Sequence, residues 1–291
     1  MLLAVVALTG CRTPADTQAA AAAGRKEVVR GTFGTYAGAP RLANGRVDVH
    51  RLANELHAIK AQTYNWLIWT GKSDWEDLKE FLPLASRLEI RVWITLVPPS
   101  ESPPTSKFYS EPFRLDYEQW AVEIARLSRK HPNLVAWSLD DFSHNGKVLT
   151  PERMAGILEP ARRINPRLAF VPCIYYRHAK LPFAQAYRDL IDGVLFPYRH
   201  EAGEMNLTDY DTLEAEVAAM RKLFGPSMPI FVDVYATRHS RLNDSSPEYV
   251  RQVMLLGRQV ADGVLIYCHQ SETASPAKHA VIKDLFHQWA R

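Results

Sequence analysis

The sequence predicts a single (β/α)8 TIM barrel of the α/β class. From Val28 onward, eight short runs rich in Val, Ile, Phe and Tyr alternate with eight segments of helical period. A buried parallel sheet wrapped by helices requires that alternation. The chain has 291 residues. Without an N-terminal segment about 265 remain, close to the roughly 250 of one such barrel. The open doubly wound sheet usually has a glycine-rich phosphate turn after its first strand, and Gly31-Thr32-Phe33-Gly34 lacks that spacing.

In chain order the strand runs are Val28–Tyr36, Tyr64–Thr70, Arg91–Val97, Leu134–Asp140, Leu168–Tyr175, Gly193–Tyr198, Ile230–Tyr235 and Gly263–Tyr267. The helices between them carry their own signals. Asp48–Lys60 sets Leu52, Leu56 and Ile59 on one face, and Asp116–Lys130 does the same with Trp120, Ile124 and Leu127. Ser73–Arg87 opens on a polar residue with Glu76 three positions on, the spacing of a capping box. Thr150-Pro151-Glu152 places threonine at a cap and proline in the first turn. Phe183–Ile191, Asp211–Leu223, Ser246–Val260 and Ala277–Ala290 complete the set. The connection Pro98–Leu115 is long and rich in proline. It follows the third strand, so it is expected to form a stiff wall over the C-terminal mouth.

A net charge of +3 with no lysine–arginine run gives no basis for a nucleic-acid partner. Cys173 and Cys268 fall on the fifth and eighth strand runs, which are not neighbours in a barrel. No disulfide between them is expected, and both read as buried thiols. The cysteine spacing is not that of a zinc site, no cofactor motif occurs, and the reading takes no metal and no cofactor.

Barrel enzymes keep their chemistry at the C-terminal ends of the strands. The fourth run ends Leu139-Asp140-Asp141-Phe142, and two adjacent acids there are costly to place without a use. Strand alternation sends Ala136, Ser138 and Asp140 toward the barrel axis and Val135, Trp137 and Leu139 toward the helices, with Asp141 at the rim. Close carboxylates resist ionising together, so one of them should keep its proton near neutral pH, as the general acid of glycosidic cleavage must. The other strand ends supply Trp69, Tyr176, Tyr198, Arg199, Asp233, Tyr235, Tyr267 and His269 as candidate substrate-binding residues. Rings stack on the apolar faces of sugars while polar groups take the hydroxyls, so this recurrence points to a carbohydrate substrate. A salt bridge to Arg177 or Arg199 is the alternative reading of the acids. Arg177, Arg199, Arg238 and Arg241 either favour an acidic or sulfated glycan or pair with Glu201, Glu204 or Asp244.

An apolar fourth strand ending in Asp140-Asp141 resembles the hyaluronidase-like and O-GlcNAcase-like β-N-acetylglucosaminidases, retaining enzymes whose nucleophile is the substrate's own acetamide. The motif covers about ten residues, and the barrel around it is shared by many enzymes. The resemblance implies a glycoside hydrolase in which Asp140 orients and polarises the 2-acetamido group and Asp141 acts as general acid, then base. The asparagines that such enzymes use on sugar hydroxyls have no match in this chain. Two other functions fit the same strand ends. His144, His178, His200, His239 and His269, with Asp141 or Asp233, could hold a divalent ion in a metal-dependent hydrolase. Alternatively, the acids could only hydrogen-bond sugar, in a non-catalytic glycan-binding lipoprotein.

The apolar stretch before Cys11 is too short to span a bilayer. Leu8-Thr9-Gly10-Cys11 resembles the lipobox of a bacterial lipoprotein signal, although no Lys or Arg precedes the apolar run. The resemblance implies a signal peptide over residues 1–10 and a lipid on Cys11 that anchors the chain to a cell-envelope membrane. The Ala-, Thr- and Gln-rich residues 11–27 read as a flexible tether, and residues 28–291 as the catalytic barrel.

Overall fold

The computed structural model describes residues 13–69 and 71–290. The expected signal segment, Cys11 and Thr70 lie outside the described residues. Eight parallel strands are present: β1 (Thr32–Tyr36), β2 (Thr63–Ile68), β3 (Arg91–Leu96), β4 (Leu134–Leu139), β5 (Ala169–Phe170), β6 (Val194–Tyr198), β7 (Ile230–Tyr235) and β8 (Gly263–Tyr267). They pair in sequence order, with β1 against β8. Between β5 and β6 the barrel is joined by a parallel bridge of Cys173 with Leu195, and Ile174 N–H donates to the Leu195 carbonyl at 2.9 Å. The fold is the (β/α)8 barrel that the alternation predicts.

The barrel helices are α2 (Val49–Ala58), α3 (Asp74–Arg87), α4 (Tyr117–Lys130), α5 (Pro151–Ile164), α6 (Leu181–Tyr187), α7 (Leu213–Phe224), α8 (Pro247–Val260) and α9 (Pro276–Trp289). Their apolar faces meet the outward side chains of the strands in one continuous core, where Leu52, Trp120, Trp137 and Leu139 are buried. A smaller inner cluster fills the barrel axis, with Trp93 and Phe231 edge to face at 5.0 Å between ring centroids. β1 lies so close to β2 that a Cβ on Gly34 would sit 1.8 Å from the Thr63 carbonyl oxygen. Glycine is therefore required there by contact rather than by dihedral angle.

Several expectations need correction here. Residues 14–27, read as a tether, belong to an additional helix, α1 (Pro14–Val29). Thr13 and Asp16 form a capping box, Pro14 occupies the first turn, and the alanine run that suggested flexibility is the strongest helix former. Arg25 fixes α1 to the barrel by donating to buried Asp192 at 2.9 Å, and Arg162 reaches the same carboxylate at 3.3 Å. Ser73 makes no cap; its hydroxyl donates to Asp77 instead. Val135 lies in the inner cluster, not against the helices, because the register of β3 against β4 shifts between Val92 and Trp93. The threonine cap at Thr150 forms as expected, accepting from Arg153 N–H. Cys173 and Cys268 are both free thiols, but each lies beyond its strand rather than within it, and Cys268, expected to be buried, is only partly so.

Candidate active site

β4 delivers Asp140 directly off its last residue, tied back by Asp140 N–H to the Leu96 carbonyl at 3.1 Å. The next residue turns sharply: Asp141 has φ +44°, the left-handed region that aspartate tolerates better than most residues. A short 3-10 turn, Phe142–Asn145, follows. Asp141 N–H donates to Asp140 Oδ1 at 3.0 Å, which fixes the two carboxyls relative to each other. Asp141 is then held from the side. Tyr175 donates its hydroxyl to Asp141 Oδ1 at 2.6 Å, and His144 Nδ1 lies 3.6 Å from the same oxygen. The Arg199 guanidinium stacks 4.0 Å above the Tyr175 ring and bonds to Glu201 at 2.9 Å.

Both acids open into a cavity of about 780 Å³ at the C-terminal mouth of the barrel. Of the residues expected at the mouth, Trp69, Arg199, Asp233, Tyr235 and Tyr267 line it with Asp140 and Asp141. Three do not. Tyr176 packs on the outer core, and Tyr175 lines the cavity in its place. β5 is only two residues long and the chain leaves the pleat before Pro172, so alternation cannot be counted to that point. Tyr198 has outward parity: its hydroxyl lies 3.2 Å from Thr212 Oγ1 and its ring stacks with Tyr249. His269 turns into the outer layer, between Thr35 and Glu55, each 3.1 Å from a ring nitrogen.

Of the lining residues not singled out in the sequence, Glu101 is the one with an ionisable carboxyl. Glu101 ends a 3-10 turn, Pro99–Glu101, in the proline-rich connection. Asn145 clamps that turn to the one after β4. It accepts from Ser100 N–H at 3.0 Å and donates to the Asp141 carbonyl at 2.9 Å. Among the described residues Glu101 alone of this connection lines the cavity; the rest is tied down beside it, with Phe108 packed on Trp69 at 4.6 Å and Ser110 donating to the Ile68 carbonyl at 2.7 Å.

The adjacent acids differ electrostatically. Burial, then the charges of Asp141 and Glu101, push Asp140 well above the usual carboxylate range. Burial also opposes charge on Asp141, but the His144 and Tyr175 contacts and the Arg199 charge outweigh it and bring its pKa below the ordinary value. Burial and the charge of Asp141 raise Glu101 to about 7. Asp233 is pushed up by burial and by Asp140. The site therefore holds one stabilised carboxylate, Asp141, beside carboxyls that keep their protons. Buried polar atoms usually have partners. Tyr36, Trp69 and Asp233 line this cavity, and Tyr36 Oη, Trp69 Nε1 and Asp233 Oδ1 are buried without one in the protein.

Ligand atoms of Asp140, Asp141 and Cys173 lie within 4.8 Å of one another and could surround a cation. That set includes none of the histidines expected for a metal. His144, His178 and His239 line the cavity, while His200 binds Asp211 and His269 is turned away. Burial and the charges of the neighbouring acids raise the Cys173 thiol well above its ordinary value.

No family model matches the chain, and no curated protein matches it. Solved structures do. A β-D-glucuronidase from Dictyoglomus thermophilum is 16% identical with a TM-score of 0.55, over 90% of this chain and 50% of that one. An O-GlcNAc hydrolase variant from Thermobaculum terrenum is 11% identical with a TM-score of 0.50, over 89% of this chain and 59% of that one. A phospho-2-dehydro-3-deoxyheptonate aldolase from Thermotoga maritima is 13% identical with a TM-score of 0.51, over 89% and 69%. The chain thus spans about half the length of the glucuronidase. At these identities the likeness establishes the fold alone.

Proposed function

We propose that this chain is a glycoside hydrolase working at the C-terminal mouth, with Asp140 and Asp141 at the scissile bond. One observation carries the reading: two adjacent carboxyls of opposite protonation preference share a ring-lined cavity of sugar-binding size. Glycosidic cleavage needs both a proton donor for the leaving oxygen and an anion beside the oxocarbenium-like centre. Asp141, held by Tyr175, His144 and Arg199, is suited to be the anion. Asp140 and Glu101 are suited to carry the proton. This division differs from the roles that the β-N-acetylglucosaminidase resemblance implies, in which Asp141 is the acid. Structural neighbours that include a glucuronidase and an O-GlcNAc hydrolase are in keeping with the class.

Hydrolysis of a panel of chromogenic glycosides, N-acetylated ones included, tests the class. Asp141→Asn should lose turnover and keep binding; a chain that binds every glycan and cleaves none overturns the proposal. Leaving groups separate the roles, because loss of the acid harms poor leaving groups most. The steep dependence should appear in Asp140→Asn or Glu101→Gln, and its appearance in Asp141→Asn instead would restore the implied assignment. Inhibition by a thiazoline would support acetamide participation, and an active enzyme that it does not inhibit would remove that mechanism. Loss of activity with a chelator would favour the metal-dependent alternative. The lipid anchor on Cys11 belongs to the same proposal: membrane fractionation with and without Cys11→Ser tests it.

A further inference from the structure

We infer that the glycan bound at this mouth is anionic, and that Arg238 and Arg241, on the loop between β7 and α8, hold its carboxylate or sulfate. The inference rests on the glycan reading above and adds the substrate class. Five consecutive residues of that loop, Arg238 to Leu242, line the same cavity as the acids. The loop is an ordered turn: His239 bridges Asn243, donating N–H to its carbonyl at 2.8 Å, and Arg241 N–H donates to His239 Nδ1 at 3.1 Å. The His239 ring packs edge-on against Tyr235 at 5.5 Å, which fixes the turn to the cavity wall.

Two of the three acids that might have neutralised these arginines are already engaged, and among the described residues no ion pair joins the third, Glu204, to either of them. Glu201 takes Arg199 through its side chain and Arg177 N–H through Oε2, and Asp244 takes Lys278 at 2.6 Å. Arg177 also donates to the carbonyls of Glu201 and Gly203. Among the described residues, neither Arg238 nor Arg241 has a side-chain hydrogen bond or ion pair. The balance inside the cavity points the same way. Of the five acids that line it, Asp140, Asp233 and Glu101 are pushed toward their neutral forms, Asp141 keeps its charge and Glu201 is engaged with Arg199, while four arginines, Arg177, Arg199, Arg238 and Arg241, line the same space. An anionic sugar unit on the β7 side would meet unengaged cations, and the bond to be cleaved would still reach the acids after β4.

Calorimetric binding of three tetrasaccharides tests this: homogalacturonan (carboxylates only), κ-carrageenan (sulfates) and chitotetraose (neither). One anionic ligand should bind about tenfold tighter than chitotetraose, since each partly exposed ion pair contributes about threefold. Arg238→Ala/Arg241→Ala should abolish that difference. Arg87→Ala/Arg167→Ala, the same charge loss at the opposite end of the barrel, should preserve it. The preferred anion distinguishes carboxylate from sulfate. Equal binding of chitotetraose, or an advantage that survives Arg238→Ala/Arg241→Ala, overturns the inference. Selective anion binding without hydrolysis of any glycoside would overturn the hydrolase reading and keep the arginine site. Hydrolysis of neutral glycosides without anion preference would do the reverse.

Discussion

Tyr175→Phe removes one hydroxyl from the site and leaves the ring under Arg199 in place. In the native chain that hydroxyl donates to Asp141 Oδ1 at 2.6 Å. A hydrogen bond to a charged acceptor contributes about 1.5–3 kcal/mol. The Asp141 side chain keeps 24% of its surface exposed, so the lower half of that range is expected. Loss of the bond raises the Asp141 pKa, because one of the contacts that hold it below the ordinary value is gone. The sign follows from the role of Asp141 as the anion. It now accepts a proton at higher pH, so the acidic limb of kcat/KM moves upward and the alkaline limb stays. The assay is the pH–rate profile on a chromogenic glycoside. A carboxyl-carbon NMR titration of aspartate-labelled protein gives the same reading without activity. An Asp141 resonance that titrates identically in native and variant protein would refute the claim that Tyr175 holds this charge.

Glu101→Gln tests the raised carboxyl. Its native pKa of about 7 lies above the unfolded value, so the folded chain binds the extra proton, and stability falls as pH rises from the ordinary glutamate range through about 7. The variant should flatten that part of the Tm–pH curve; an unchanged slope would mean that Glu101 is solvated. Asp192→Asn leaves Arg25 and Arg162 facing a neutral amide and should lower stability by about 3–5 kcal/mol in denaturant titration. A loss below about 1 kcal/mol would mean that α1 is not docked as described. Tyr198→Phe removes a hydroxyl that meets only Thr212 and the Asp209 carbonyl. It should cost about 1 kcal/mol of stability and leave kcat/KM within about twofold.

Most of the barrel is legible because buried parallel strands and the helices over them write different periods. The runs at Ile230–Tyr235 and Gly263–Tyr267 match the observed strands to the residue. The misreadings have local causes. Residues after Thr13 are small and polar enough to resemble a linker, yet alanine is the best helix former, and long-range contacts such as the pair of Arg25 with Asp192 and the burial of Val29 show that the segment has a docking place. The displaced register at Val92 and Trp93 is a property of two strands together, so no pattern within either strand reports it.

The site divides along the same line. A carboxylate pair at a strand end is visible because burying charge is costly, and tyrosines at strand ends are visible by counting. The counting fails where the strand does: Tyr198 falls on the outward parity and Tyr175 replaces Tyr176 after a two-residue strand. Glu101 left no signal, since a glutamate in a proline-rich loop is ordinary until Asn145 draws its turn against Asp141. What distinguishes Asp140 from Asp141 is equally absent from their identities. They are the same residue in adjacent positions, separated by a backbone turn to φ +44°. That turn brings Asp141 to Tyr175 and His144 and leaves Asp140 over the barrel axis near Cys173. One gains side-chain donors and keeps its charge; the other meets burial and the charges of Asp141 and Glu101, which outweigh its own hydrogen bonds, and keeps its proton. The acid–anion division of the pair is thus made by chain direction at a single residue, and any substitution that relaxes the turn at Asp141 should disturb both protonation states together.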